Sequence, residues 1–203
     1  MKHTHIAILG LISTLPCSLL NAQSIGLNLG SGRADAALDP SGFAGVVSQS
    51  NWNNLAEGAG GPQSIWDSGG DSTTAVVSWA CDEQWSVGGV PSDPNGKLLN
   101  GFFSDNNSNG DNSTITITGI PYDLYDLYIY VSHDRAMEDV ILSEANGVFA
   151  DFTAVENDTD LTVAVTFAQQ VESGVGSGNY VKFSALTSMD LELVLKAVDL
   201  GAA

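Results

Sequence analysis

The chain predicts an all-β fold, a two-sheet antiparallel β-sandwich or a barrel, and three observations carry that expectation. About ten short segments either alternate apolar and polar residues or concentrate Val, Ile, Thr and aromatic side chains, which suit a pleated surface. Clusters of Gly, Asn, Asp and Ser separate them, and Gly reaches 22 of 203 residues, above the average of ~7%. Beyond the N-terminus no stretch sustains apolar residues at helical spacing.

The elements are taken from the N-terminus onward. Residues 1–22 read as a secretory signal peptide. Lys2 supplies the positive start, Ile6 to Ile12 the apolar run, Pro16 the break, and cleavage is expected between Ala22 and Gln23. The run is too short to span a bilayer, and no later segment approaches spanning length. The expectation is a secreted, extracellular or cell-surface protein without membrane insertion, whose residues 23–203 form one monomeric domain. Strands are expected at Ser24 to Leu29, Ala44 to Val47, Thr73 to Trp79 and Leu98 to Phe103. Ser113 to Thr118 has the clearest period of two: Thr114, Thr116 and Thr118 alternate with Ile115 and Ile117.

In Tyr125 to Val131 the odd positions share one face, and Asp126, Tyr128 and Tyr130 the other. Further strands are expected at Gly147 to Thr153, Leu161 to Phe167, Asn179 to Phe183 and Leu191 to Leu195, the last with its three leucines inward. Ala34 to Leu38 allows one helical turn before Pro40, and Arg135 to Glu144 suits strand or helix.

Charge and cysteine narrow the function classes. Lys plus Arg number 6 against 24 Asp plus Glu, a net charge of -18. Such a field repels phosphate backbones and anionic lipid, so nucleic acid is excluded as an expected partner. Once the signal peptide is removed, one histidine, His133, and one cysteine, Cys81, remain. They can form neither an internal disulfide nor a structural zinc site. Cys81 follows a Val- and Trp-rich strand and reads as a small buried apolar residue.

The block Gly45-Val46-Val47-Ser48-Gln49-Ser50-Asn51-Trp52-Asn53-Asn54 carries a resemblance, with Ile25 to Gly30 upstream and Gly178 to Phe183 downstream. Leu98 to Phe102 and Tyr125 to Val131 fit the same pattern. Together they resemble a β-sandwich domain of secreted Verrucomicrobia and Planctomycetes proteins, mostly of unassigned function. The resemblance implies a jelly-roll of galactose-binding-like type and no catalytic residues. It also implies a further C-terminal strand, where this chain stops at Asp199-Leu200-Gly201-Ala202-Ala203. Its absence would leave a sheet edge unpaired.

Three clusters are candidate sites. Trp52 with Asn53 and Asn54 could stack a sugar and bond its hydroxyls; the alternative is that Trp52 plugs the core and the asparagines hold loop backbone. Trp66 and Trp85 are expected in Gly- and Ser-flanked loops with one of them exposed, and Trp85, beside Asp82, Glu83 and Gln84, is the better ligand candidate. Trp79 is expected in the core. Asp105, Asn107, Asn109 and Asp111, with Gly110 at the sixth position, match the opening of a calcium loop. Thr116 replaces the usual acid at position twelve, and the alternative is a hairpin turn. His133, Asp134 and Arg135 follow a strand, where Arg offers a rigid donor fork; the alternative is a surface ion pair.

No nucleophile elbow, phosphate loop or His-Glu-x-x-His motif occurs. The expected function is a non-catalytic carbohydrate-binding module using loop aromatics with Asn, Asp and Arg, its partner an extracellular glycan and calcium its one candidate cofactor. A structural or adhesive extracellular domain without a small ligand is the alternative, and a polysaccharide-degrading enzyme the third.

Overall fold

A computed structural model describes residues 23–56, 58–81, 83–86, 93–104, 113–130, 138–144, 147–155, 174–177 and 180–197. The expected signal peptide, the Asp105 to Asp111 loop, His133-Asp134-Arg135 and the run at Leu161 to Phe167 lie outside the described residues.

In chain order the strands are β1 (Leu27–Leu29), β2 (Asn53–Leu55), β3 (Ala59–Trp66), β4 (Ser72–Ala80) and β5 (Glu83–Ser86). A helix, α1 (Pro94–Asn100), precedes β6 (Gly101–Ser104), β7 (Ser113–Thr118), β8 (Tyr125–Tyr130), β9 (Glu138–Glu144) and β10 (Gly147–Val155). The last are β11 (Gly174–Ser177), β12 (Tyr180–Leu186) and β13 (Leu191–Ala197). The all-β class therefore holds among the described residues, with one short helix.

Seven strands form one sheet in the order β11-β10-β9-β13-β7-β4-β3. Every pair in it is antiparallel except β10 with β11. Its centre is β13, paired on both sides. Alternation sets the register there: Leu191 faces Ile117 and Leu193 faces Ile115, and both leucines are buried while Glu192 is exposed. Among the described residues there are also three two-stranded pairings: antiparallel β8 with β12 and β5 with β6, and parallel β1 with β2.

The main core draws on both the large sheet and the β8–β12 ribbon. Ile65, Ala75, Val77, Trp79, Ile115, Leu191 and Leu193 of the sheet meet Phe183 and Leu186 of β12. Tyr125, Leu127 and Ile129 of β8 pack against that cluster, as the alternation in this strand predicts. The opposite face of β8 is not simply solvated. Tyr130 packs on a second cluster of Leu38, Ala44, Trp52 and Leu98, with its ring edge-on to Trp52 at 6.1 Å between centroids. Cys81 is half-buried against the main core, and its thiol donates to the Gly58 carbonyl at 3.2 Å.

Two expected strands are corrected. Ala44 to Val47 is a closed turn: Ala44 and Gln49 exchange backbone hydrogen bonds of 3.0 and 3.1 Å, and Gly45 has φ +95°. The left-handed conformation ends any extended run, and Val46 and Val47 are left exposed. Leu98 to Phe103 is divided between α1 and β6. Asp93 caps the helix by accepting from the N–H groups of Asn95 (2.9 Å) and Gly96 (3.1 Å), and Pro94 opens the first turn. Leu98 and Leu99 are thus buried on a helix rather than a strand. The ambiguous Arg135 to Glu144 stretch contains strand β9. Strands β2, β3 and β11 are not anticipated because Asn- and Gly-rich sequences such as Ala59-Gly60-Gly61-Pro62-Gln63 read as turns, and β5 because four residues, Glu83-Gln84-Trp85-Ser86, are too few to show an alternation.

Candidate functional site

An open recess of ≈ 190 Å³ is lined by Asn51, Trp52, Asn53, Asn54, Gln63 and Trp66. It lies where the Asn-Trp-Asn-Asn block enters β2 and the edge strand β3 ends.

Each residue of the block is placed by local chemistry. Trp52 is only 8% exposed, and its Nε1–H donates to the Gln49 carbonyl at 3.0 Å. A Cβ at Gly26 would lie 2.6 Å from Trp52 Cε3, so a glycine is needed where the chain runs against the indole. Trp52 therefore fills the second core cluster and does not offer a stacking face to solvent, which is the plugging role weighed against the sugar platform.

Asn53 and Asn54 also face inward. The Asn53 amide bridges the backbone of Trp66, accepting from its N–H at 2.9 Å and donating to its carbonyl at 2.8 Å. The same amide donates to the Gly26 carbonyl at 2.9 Å. Asn54 makes the matching bridge to Leu38, accepting at 3.1 Å and donating at 2.9 Å, and its Oδ1 also accepts from Asn28. A carboxamide presents a donor and an acceptor side by side, so it pairs with one residue's backbone as a neighbouring strand would. Both amides are thereby committed to holding backbone, the structural role weighed for them against bonding sugar hydroxyls.

The exposed aromatic at the recess is Trp66, the last residue of β3, at 46% exposure. The buried Ile65 beside it sets the alternation: inward at 65, outward at 66. A register shift lies between Ser64 and Trp66, and such irregularities re-aim side chains, here with Gln63 and Trp66 lining the same recess.

The loop after Trp66 is held tightly. Asp67, 4% exposed, accepts through Oδ1 from the N–H groups of Gly69 (2.9 Å) and Asp71 (3.0 Å). The Ser68 carbonyl accepts from Asn51 Nδ2 at 3.0 Å, tying the two walls together. Among the described residues neither the Gln63 amide nor the Trp66 indole N–H has a hydrogen-bond partner, so both are free to meet a ligand.

The other expected sites are not gathered here. Trp85 belongs to β5, paired with Phe102 of β6, and not to a loop. The calcium-loop residues Asp105, Asn107, Asn109 and Asp111 and the cluster His133, Asp134 and Arg135 lie outside the described residues. Among the described residues no group of three His, Cys, Asp or Glu side chains converges on a metal position, and no helix is long and apolar enough to cross a membrane. Sequence reasoning missed Gln63 and undervalued Trp66. The signal was the Gln63-Ser64-Ile65-Trp66 alternation ahead of the Asp67-Ser68-Gly69-Gly70-Asp71 turn.

No family model matches the chain, and neither a curated protein nor a solved structure matches it.

Proposed function

We propose that the protein is a secreted, non-catalytic carbohydrate-binding module on a two-sheet β-sandwich of jelly-roll type, akin to the domains of Verrucomicrobia and Planctomycetes exoproteins. The observation that carries this reading is Trp66, a half-exposed indole that shares one recess with the unengaged amide of Gln63. An indole face covers the apolar face of a pyranose, and amides bond its hydroxyls as both donor and acceptor. The sandwich is supported by the main core, which sits between the seven-stranded sheet and the β8–β12 ribbon.

A second reading, a structural or adhesive extracellular domain, is favoured by a different observation: Trp52, Asn53 and Asn54 all face inward. Polysaccharide pull-down and a glycan array separate the two, run with and without calcium on the wild type and on Trp66→Ala. The binding module retains a glycan, and Trp66→Ala weakens retention about tenfold or more, the scale of ~1.4 kcal/mol. Silence across plant, algal and microbial glycans selects the structural domain.

A further inference from the structure

We infer that the recess takes the terminal ring of a neutral glycan, one uncharged pyranose, and neither an internal stretch of chain nor an acidic sugar. This deepens the carbohydrate-binding reading and rests on it.

Size is the first argument. The recess measures ≈ 190 Å³, below the ~300–1,000 Å³ of sites that enclose drug-sized ligands. It also holds one stacking surface. The second tryptophan of the lining is buried and bonded to Gln49, so no neighbouring ring is available for a second sugar unit.

Charge is the second argument. Among the described residues the lining is four asparagine or glutamine residues and two tryptophans, with no Lys, Arg or His to pair with a uronate or a sulfate. Asp67 follows Trp66 directly, Asp71 closes the same loop, and the whole chain carries a net charge of -18. An anionic sugar would therefore approach against the field and find no compensating cation among the described lining residues. Neutral hydroxyls match the amide of Gln63, which can accept from one and donate to its neighbour.

Calorimetric titration of the full chain tests this with methyl glycosides of glucose, galactose, mannose, xylose and N-acetylglucosamine. The two- to six-unit oligomers of each sugar and the corresponding uronic acids complete the panel. The expected result is that at least one neutral glycoside binds, that its oligomers bind within about threefold of it, and that its uronate binds at least ~10-fold more weakly. Trp66→Ala abolishes that binding and Gln63→Ala weakens it several-fold. Trp66-dependent affinity that climbs ~10-fold or more with chain length, or a uronate that equals the neutral sugar, overturns this inference while leaving the recess a saccharide site. If no saccharide binds in a Trp66-dependent way, the carbohydrate-binding reading falls and takes this inference with it.

Discussion

At the scale of single residues, the amide of Asn53 takes the architectural of the two roles that its motif allows. It is 5% exposed and makes three hydrogen bonds, two of them to the backbone of the residue that carries the exposed indole. Asn53→Ala removes three hydrogen bonds, taking the amide from both the N–H and the carbonyl of Trp66 while the Gly26 carbonyl keeps the Asn53 backbone N–H at 2.8 Å, and is expected to cost about 2–4 kcal/mol in chemical denaturation. Asn53→Asp gives a sharper test. It keeps an acceptor for the Trp66 N–H but turns a carboxylate toward the carbonyls of Gly26 and Trp66. That repulsion raises the carboxyl pKa above its unfolded value, so the variant is least stable at neutral pH and regains stability as pH falls and the group becomes a donor. Denaturation at pH 7 and pH 4 checks it; equal loss at both contradicts the bridge.

Tyr130 offers a second residue-scale prediction. Burial is the main cause that pushes its phenol up to about 12, opposed by the hydrogen bond it accepts from the Val46 N–H at 2.9 Å. With the folded value above the unfolded one, its contribution is complete below pH ~10 and is lost as pH rises toward ~12, where the unfolded chain ionises first. Two units correspond to about 2–3 kcal/mol. Tyr130→Phe should therefore flatten the alkaline fall in melting temperature; an unchanged profile would assign the fall to other groups.

At the scale of elements, legibility followed the period of the side chains. Ser113–Thr118 is legible to the residue because its Thr/Ile alternation has no competing signal, and Leu191 to Leu195, which the structure extends to Ala197, because one polar residue separates inward leucines. Where apolar residues were consecutive, the reading failed. Leu98-Leu99 suits a strand or a helix equally, and the deciding information lay upstream in Asp93-Pro94, a cap followed by a residue preset for the first helical position. Asp93→Ala is expected to destabilise the protein by ~1 kcal/mol, with Asp93→Ser recovering most of it; no change in the urea midpoint would mean that packing of Leu98 and Leu99 alone holds α1. The turn at Ala44 to Gln49 went unread for a related reason. Two valines suggest burial, whereas their neighbour Gly45 carries the left-handed backbone that forbids a strand, and a Cβ there would lie 2.8 Å from Tyr130 Oη. Strand β3 hid behind Gly60-Gly61-Pro62. Pro62 lacks an N–H and two register shifts interrupt the pairing, features that suit an edge strand by discouraging addition of another chain.

At the scale of the whole molecule, composition announced the β class, while the site emerged only from tertiary structure. The exposed indole of Trp66 and the amide of Gln63 meet at the recess because β3 is irregular and because Asn53, Asp67 and Asn51 fix the chain around its end. The Asn53 and Asn51 contacts join residues 13 and 17 positions apart, which alternation does not reveal, and the most eye-catching sequence feature, the Asn-Trp-Asn-Asn block, supplies the frame rather than the free binding groups. Part of the frame is shared: Trp52 and Tyr130 join the Ala44 turn, α1 and β8 in one cluster. The most direct test is a crystal structure of the full chain with the neutral methyl glycoside that binds it best. The sugar ring should lie flat on the indole of Trp66, with a hydroxyl on the Gln63 amide and Trp52 still buried behind it. A sugar seated elsewhere, such as on the Tyr128–Tyr180 face of the β8–β12 ribbon, with Trp66 untouched, would contradict the account.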